Sequence, residues 1–290
     1  MRFHHLIITM VAFCSACVAP NERNPAVATG LNNLGINYRL IELTDPIANK
    51  IHILRINLAL NRVKVQVVLG EDPDGDGPAE AALTDPRKLA SNSSVVAFVN
   101  TNPWDSFPDD QGKRNRKWYS GQMVDIHGLA GTSGKMRSSV ATNNASIWFD
   151  SEGNVNFGHQ PGDEPKEATT GFQQILSKGN PTVNSDGARH PRTAIGIDKK
   201  GEILWLVVVD GRQQQYSEGM NLHELANLMK EIGCWKATNM DGGGSSIIGL
   251  LDKNGKIKIM NSPSDRAFGR SKIRPLPMIL TINKSNQPVR

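Results

Sequence analysis

Seven apolar residues in a row, Ile203-Leu204-Trp205-Leu206-Val207-Val208-Val209, stop abruptly at Asp210-Gly211-Arg212. The run pairs naturally with Arg192 to Asp198 across the turn Lys199-Lys200-Gly201-Glu202, which predicts a β-hairpin. A segment from Asn221 to Ile232 follows with apolar residues at Leu222, Leu225, Ala226, Leu228 and Met229, the stripe of an amphipathic helix. Asn221 with Glu224 three residues on forms a capping-box pattern, and Gly233 supplies the stop. Beyond it lies Asn239-Met240-Asp241-Gly242-Gly243-Gly244-Ser245-Ser246. Two polar motifs, around Asp210 and Asp241, therefore each follow a structured element and can meet in space.

The rest of the chain reads mostly as strands. Tyr38 to Leu43, Lys50 to Leu58 and Val63 to Leu69 have strand content, with Asn61-Arg62 suiting a hairpin turn between the last two. Val95 to Val99 reads as a buried strand ending at Asn100-Thr101-Asn102-Pro103-Trp104, and Thr84-Asp85-Pro86-Arg87 reads as a helix start. Further strands are expected at Met123 to Ile126, Ala145 to Asp150, Val155 to Phe157, Thr170 to Leu176, Ile247 to Leu251, Ile257 to Met260 and Met278 to Ile282. Asp72, Asp74, Asp76 and Gly77 begin like a calcium loop, but its twelfth position is Leu83, so an acidic surface loop is the better reading. With no Pro/Ser-rich linker in 290 residues, the expectation is one α+β domain, mostly antiparallel sheets with a few flanking helices.

The N-terminus reads as a targeting segment. The apolar stretch Leu6 to Phe13 follows Arg2 and is too short to span a bilayer, but fits a signal-peptide core. Cys14-Ser15-Ala16-Cys17 resembles a bacterial lipoprotein cleavage box, which makes Cys17 the expected lipidation site; Cys14 departs from the usual residue there, so plain secretion stays open. The expected organisation is a signal peptide over 1–17, a flexible tether over 18–35 and a folded domain over 36–290, exported to the cell envelope or secreted. With Cys17 lipidated, Cys234 has no partner and reads as a buried thiol. The net charge of +5 is scattered, without a dense basic run interleaved with aromatics, which argues against nucleic acid as a partner.

Three polar constellations sit at predicted strand ends: Asn100 with Asn102 and Trp104; His190, Arg192 and Thr193 with Asp210 and Arg212; and Asp241 to Ser246. Arginine forks bind phosphate bidentately. Glycines let backbone approach a ligand, and their N–H groups can converge on an oxyanion. Glycoside cleavage needs a pair of carboxylates, and Asp210 and Asp241 are the pair to consider. Plainer readings stand beside these: Asp210-Gly211 as a turn, Arg192 as an ordinary strand residue, the three glycines as relief from crowding. His127, His159 and His190 lack the spacing of metal ligands, so no metal or cofactor is expected, and neither a P-loop nor a Gly-x-Ser-x-Gly pattern is present.

Taken together, Pro191-Arg192-Thr193-Ala194-Ile195-Gly196, Val209-Asp210-Gly211-Arg212, Gly219-Met220 with the following helix, and Asn239 to Ser246 resemble the phosphodiester glycosidase domain family. Ala97-Phe98-Val99-Asn100 and Thr170-Gly171 extend the likeness, which covers roughly Val95 to Ile282. The resemblance implies hydrolysis of a sugar-1-phosphodiester or related anionic glycan by an exported hydrolase. It also implies an active site with Asp241 and Asp210 as catalytic carboxylates. Asn100, Arg192, Thr193, Arg212, Gly242, Gly243, Gly244, Ser245 and Ser246 would bind substrate. The family commonly has glycine and phenylalanine after the strand-end Asn, whereas this chain has Thr101-Asn102-Pro103-Trp104, a difference expected to reshape the sugar pocket. The competing reading is a non-catalytic glycan- or envelope-binding lipoprotein of the same fold.

Overall fold

A computed structural model describes residues 21–23, 30–140, 142–184 and 187–285. The expected signal peptide and Cys17 lie outside these residues. Two sheets dominate. A central eight-stranded sheet has the order Asn21–Arg23, Ile36–Leu43, Asn49–Asn57, Ile203–Val209, Arg192–Ile197, Lys236–Asn239, Gln173–Ser177, Asn180–Pro181. A five-stranded sheet has the order Ile257–Ile259, Ile248–Leu251, Val95–Asn100, Met278–Lys284, Val63–Leu69. A further five-stranded sheet, which includes Asn143–Phe149 and Glu167–Thr170, adds its buried Ile147 and Phe149 to the same core. Every pairing between these strands is antiparallel.

The apolar run at 203–209 is explained by burial on both faces. Leu204, Leu206 and Val208 point into the larger core, shared with Phe98, Ile248 and Leu280 of the second sheet. Trp205, Val207 and Val209 point the other way, into a smaller core closed by the helix Leu222–Glu231 through Leu225, Ala226 and Met229. Side chains alternate across a strand, so only a strand covered on both sides can be apolar throughout. The helix has the expected capping box between Asn221 and Glu224, and Gly233 follows it at φ 104°.

The α+β expectation does not hold. The described residues are mostly β, 44% strand against 9% helix. Its α-helices among the described residues are Leu222–Glu231 and a single turn at Pro86–Leu89. The main core lies between sheets, and only one helix covers an outer face, so sheet-on-sheet packing sets the class. The hairpin expected at Asn61-Arg62 is also absent. The Asn49–Asn57 and Val63–Leu69 strands belong to different sheets, and a 3₁₀ turn at Leu58–Leu60 carries the chain across. That turn is capped by Asn57, which accepts from the Ala59 N–H at 3.1 Å, and is closed by Asn61 at φ 54°. The expected strand Thr170 to Leu176 is two strands in two sheets, Glu167–Thr170 and Gln173–Ser177. Within the stretch read as a tether, Asn21–Arg23 pairs with the Ile36–Leu43 strand, and Asn32–Leu34 forms a 3₁₀ turn. Cys234 is buried and free; burial pushes its thiol far above the ordinary value.

Candidate active site

The register gathers the polar motifs at one edge of the central sheet. Arg192–Ile197 lies between Ile203–Val209 and Lys236–Asn239, with Arg192 opposite Val209 and Ala194 opposite Asn239. Both flanking strands therefore end where the middle one begins, and Asp210 and Asp241 emerge on either side of Pro191-Arg192. Two inter-strand spacings put their Cα atoms about 10 Å apart.

The two aspartates have different surroundings. Asp210 is buried, and its carboxylate is fully occupied. Oδ1 accepts from Asn261 Nδ2 at 3.0 Å and the Ser262 N–H at 2.9 Å. Oδ2 accepts from the Ser262 N–H at 3.1 Å and the Tyr216 hydroxyl at 3.4 Å, and lies 3.4 Å from His52 Nε2. His52 Nδ1 in turn meets the Tyr38 hydroxyl at 2.8 Å. Burial, reinforced by the Asp210 charge, pushes the Tyr216 hydroxyl up to about 12.

Asp241 is partly exposed. Crowding by the surrounding protein pushes its carboxyl up to about 6, against the opposing pull of the Ser245 side chain, Arg274, the Gly242 N–H and Arg212. A carboxyl poised there can hold or release a proton near neutrality.

The glycines allow close approach within the bend. Three N–H groups of the bend are spent within the protein: Gly243 on the Pro191 carbonyl at 3.0 Å, Ser245 on that of Gly242 at 3.2 Å, and Ser246 on that of Gly243 at 3.2 Å. A Cβ at Gly243, whose φ is 62°, would stand 3.0 Å from Arg212 Nη1. A Cβ at Gly244 would collide with the ion pair of Asp265 and Arg274. That pair is bidentate, with Nε and Nη2 of Arg274 each 2.8 Å from a carboxylate oxygen, and Arg274 Nη1 also donates to Ser245 Oγ at 3.2 Å. The side chains that crowd Gly243 and Gly244 are thus Arg212 and the Asp265–Arg274 ion pair.

The other expected residues divide into rim and frame. Arg212, exposed and at φ 57°, lies over Gly243 with Nη2 3.2 Å from His190 Nδ1. Arg192 is half-buried and donates to the backbone carbonyls of Met220 at 2.9 Å and Ala188 at 3.3 Å. Neither arginine is within ion-pair distance of a carboxylate among the described residues. Burial and the two arginines hold His190 below its ordinary value, so it is neutral more readily.

Asn100 and Thr193 are interior. Asn100 Oδ1 accepts from Thr193 Oγ1 at 2.7 Å and the Ile247 N–H at 3.1 Å, while its Nδ2 donates to the Asp241 carbonyl at 2.7 Å. Asn100 is thus the bracket tying the second sheet to the Asp241 bend. Asn102 braces the third sheet, accepting from Thr169 Oγ1 at 2.6 Å and the Thr170 N–H at 2.9 Å. Ser246 is buried, and its Oγ has no hydrogen-bond partner among the described residues. Trp104 packs edge-on against Trp118 at 5.7 Å between ring centroids, and the Arg274 guanidinium lies 6.0 Å from the Trp118 ring. The residues that sequence reasoning missed are Arg274, Asp265, Asn261 and His52. Only His52 left a trace, as a lone polar side chain between Ile51 and Ile53.

A sequence model of the family described as phosphodiester glycosidase matches residues 88–282. The chain is 40% identical over 74 residues to N-acetylglucosamine-1-phosphodiester α-N-acetylglucosaminidase of Bos taurus, covering 26% of this chain and 12% of that protein. Its likeness to the Mus musculus enzyme of that name is 28% over 170 residues, 50% of this chain and 30% of that one. The chain thus spans less than a third of the curated relatives it matches. In three dimensions it resembles the zebrafish enzyme's catalytic domain auto-inhibited by its pro-peptide, with a TM-score of 0.59 at 22% identity over 92% of this chain and 88% of that one. A hypothetical protein from Synechocystis has a similar fold, with a TM-score of 0.53 at 11% identity over 87% of this chain and 62% of that one. With the family's pattern running through well over half of its length, the chain belongs to the phosphodiester glycosidase family.

Proposed function

We propose that the protein hydrolyses the glycosidic bond of a sugar-1-phosphodiester, with Asp241 as the base. The observation that carries this is a partly exposed carboxyl poised near neutrality beside Arg212, a guanidinium with no carboxylate of its own among the described residues. The anomeric carbon–oxygen bond breaks and its electron pair leaves on the phosphate oxygen. Water adds to the anomeric carbon and gives its proton to Asp241. The leaving phosphomonoester carries its own charge, so it departs without a protein acid, while Arg212 and His190 stabilise it. Asp210, saturated by its neighbours, positions the Asn261–Ser262 segment and touches no substrate; Asn261 Nδ2 also holds the Ser246 carbonyl at 3.0 Å. Relatives named for N-acetylglucosamine-1-phosphodiesters support that substrate class.

Arg212→Ala tests the phosphate contact. The variant is expected to lose about tenfold to a hundredfold in kcat/KM on a sugar-1-phosphodiester, and with it competitive inhibition by a phosphomonoester. Unchanged kinetics would remove Arg212 from the site.

The substrate would be met outside the cytoplasm, with the protein exported and anchored through Cys17. Cells fed labelled palmitate should label this protein, and Cys17→Ser should abolish the label; label that persists in that variant contradicts the anchor.

A further inference from the structure

At the rim of the site, Arg266–Ala267 and Arg270–Ser271 form a short antiparallel hairpin whose turn is Phe268-Gly269. Both turn residues have positive φ, 51° and 76°, as the tight primed hairpin turns require. Asn, Asp and Gly meet that requirement cheaply, whereas a bulky aromatic residue is strained there. Phe268 is also fully exposed, at 105% of its reference area, so the ring offsets none of that strain by burial. Folding alone therefore gives no reason for this residue at this place.

The flanking charges have one sign. Arg266, Arg270 and Lys272 are exposed, and none has an ion-pair partner among the described residues. The hairpin is fixed to the site at both ends. Its Asp265 and Arg274 form the ion pair over Gly244. Arg266 bonds the side chain of Gln213, the residue after Arg212. Cations without an ion-pair partner among the described residues thus continue from Arg192 and Arg212 out along the hairpin to an aromatic tip. A single phosphodiester needs only the inner pair. The outer cations match further negative charges on the same ligand, and an exposed ring is the usual partner for a sugar face.

We propose that this hairpin is an arm that binds a polyanionic glycan, a chain carrying phosphate beyond the scissile linkage, with Phe268 against a sugar ring and Arg270 and Lys272 on neighbouring phosphates. The proposal rests on the reading of the site as one for sugar-1-phosphodiesters, and extends its substrate from one linkage to a polymer.

The test uses the full chain and a Phe268→Gly/Arg270→Ser/Lys272→Ser variant, with retained melting temperature showing that the fold is intact. Binding of a fluorescent, size-defined poly(hexosamine 1-phosphate) is measured by anisotropy in an Asp241→Asn background, so the readout needs no turnover. The variant should bind the polymer about tenfold to a hundredfold more weakly and lose part of the salt dependence. Its kcat/KM on a single-repeat sugar-1-phosphodiester, measured with Asp241 restored, should stay within about twofold. Unchanged polymer affinity overturns the proposal. So does an equal loss on the single repeat, or retained polymer affinity with lost binding to phosphatidylglycerol vesicles, which would make the arm a membrane contact. If the wild type cleaves neither substrate while the variant still loses polymer affinity, the arm stands and the catalytic reading falls.

Discussion

Asp241→Asn is expected to abolish most turnover and to make the protein more stable. The activity loss should be about a thousandfold, the range for removing a positioned base. The stability gain follows from the direction of the pKa shift. The folded-state value, pushed up to about 6, lies above the 3.8 of an unperturbed aspartate. Between those values the native state holds more protons than the unfolded one, so stability falls as pH rises through that window and the full penalty applies above it. An amide carries no charge to desolvate, and near neutral pH it should recover on the order of 2 kcal/mol. The same shift predicts that wild-type kcat/KM falls as pH drops through about 6, because the base must be ionised. Thermal melts of wild type and variant across that range check the first claim, and a rate profile checks the second. A variant less stable than wild type near neutrality would show that the carboxylate is not held at a cost.

Asp210→Ala should do the opposite to stability. Removing that carboxylate strands the buried Asn261 and His52 Nε2, and takes the acceptor from the half-buried Ser262 N–H and the Tyr216 hydroxyl. Breaking a buried, hydrogen-bonded charge network in this way costs about 3–5 kcal/mol. The protein should unfold at much lower denaturant concentration, and activity should fall in step with the folded fraction. Protein that stays folded and fully stable but catalytically dead would return Asp210 to the chemistry. Two aspartates from similar Asp-Gly motifs are thus predicted to shift stability with opposite signs, because one is satisfied by the fold and the other is held partly against it.

What the sequence shows well is what is local. The Arg192–Val209 hairpin, the capped helix at Leu222 and the Asp-Gly-Gly-Gly bend each carry their pattern within about 20 residues. Lys236–Asn239 was not legible: its four residues, Lys-Ala-Thr-Asn, have no strand pattern, yet it lies between two strands of the central sheet. The crossing at Leu58–Leu60 is hidden because nothing near Asn61 says that the next strand joins another sheet. Fold class is hidden for a related reason, since periodicity finds elements but does not say that two sheets will close over one core. Within the candidate site, the motifs gather at one edge of the central sheet. The roles of Asp210, Asn100 and Thr193 depend on partners far along the chain, such as His52, Asn261 and Ile247, and only tertiary structure assembles them.

The most direct test of the proposed chemistry is the fate of the solvent oxygen. Hydrolysis of a sugar-1-phosphodiester in oxygen-18 water, followed by mass spectrometry of both products, reports which bond breaks. Attack at the anomeric carbon, as Asp241 and Arg212 are placed here, puts the label in the released sugar and none in the phosphomonoester. Label in the phosphate would mean cleavage of the phosphorus–oxygen bond and would contradict the account.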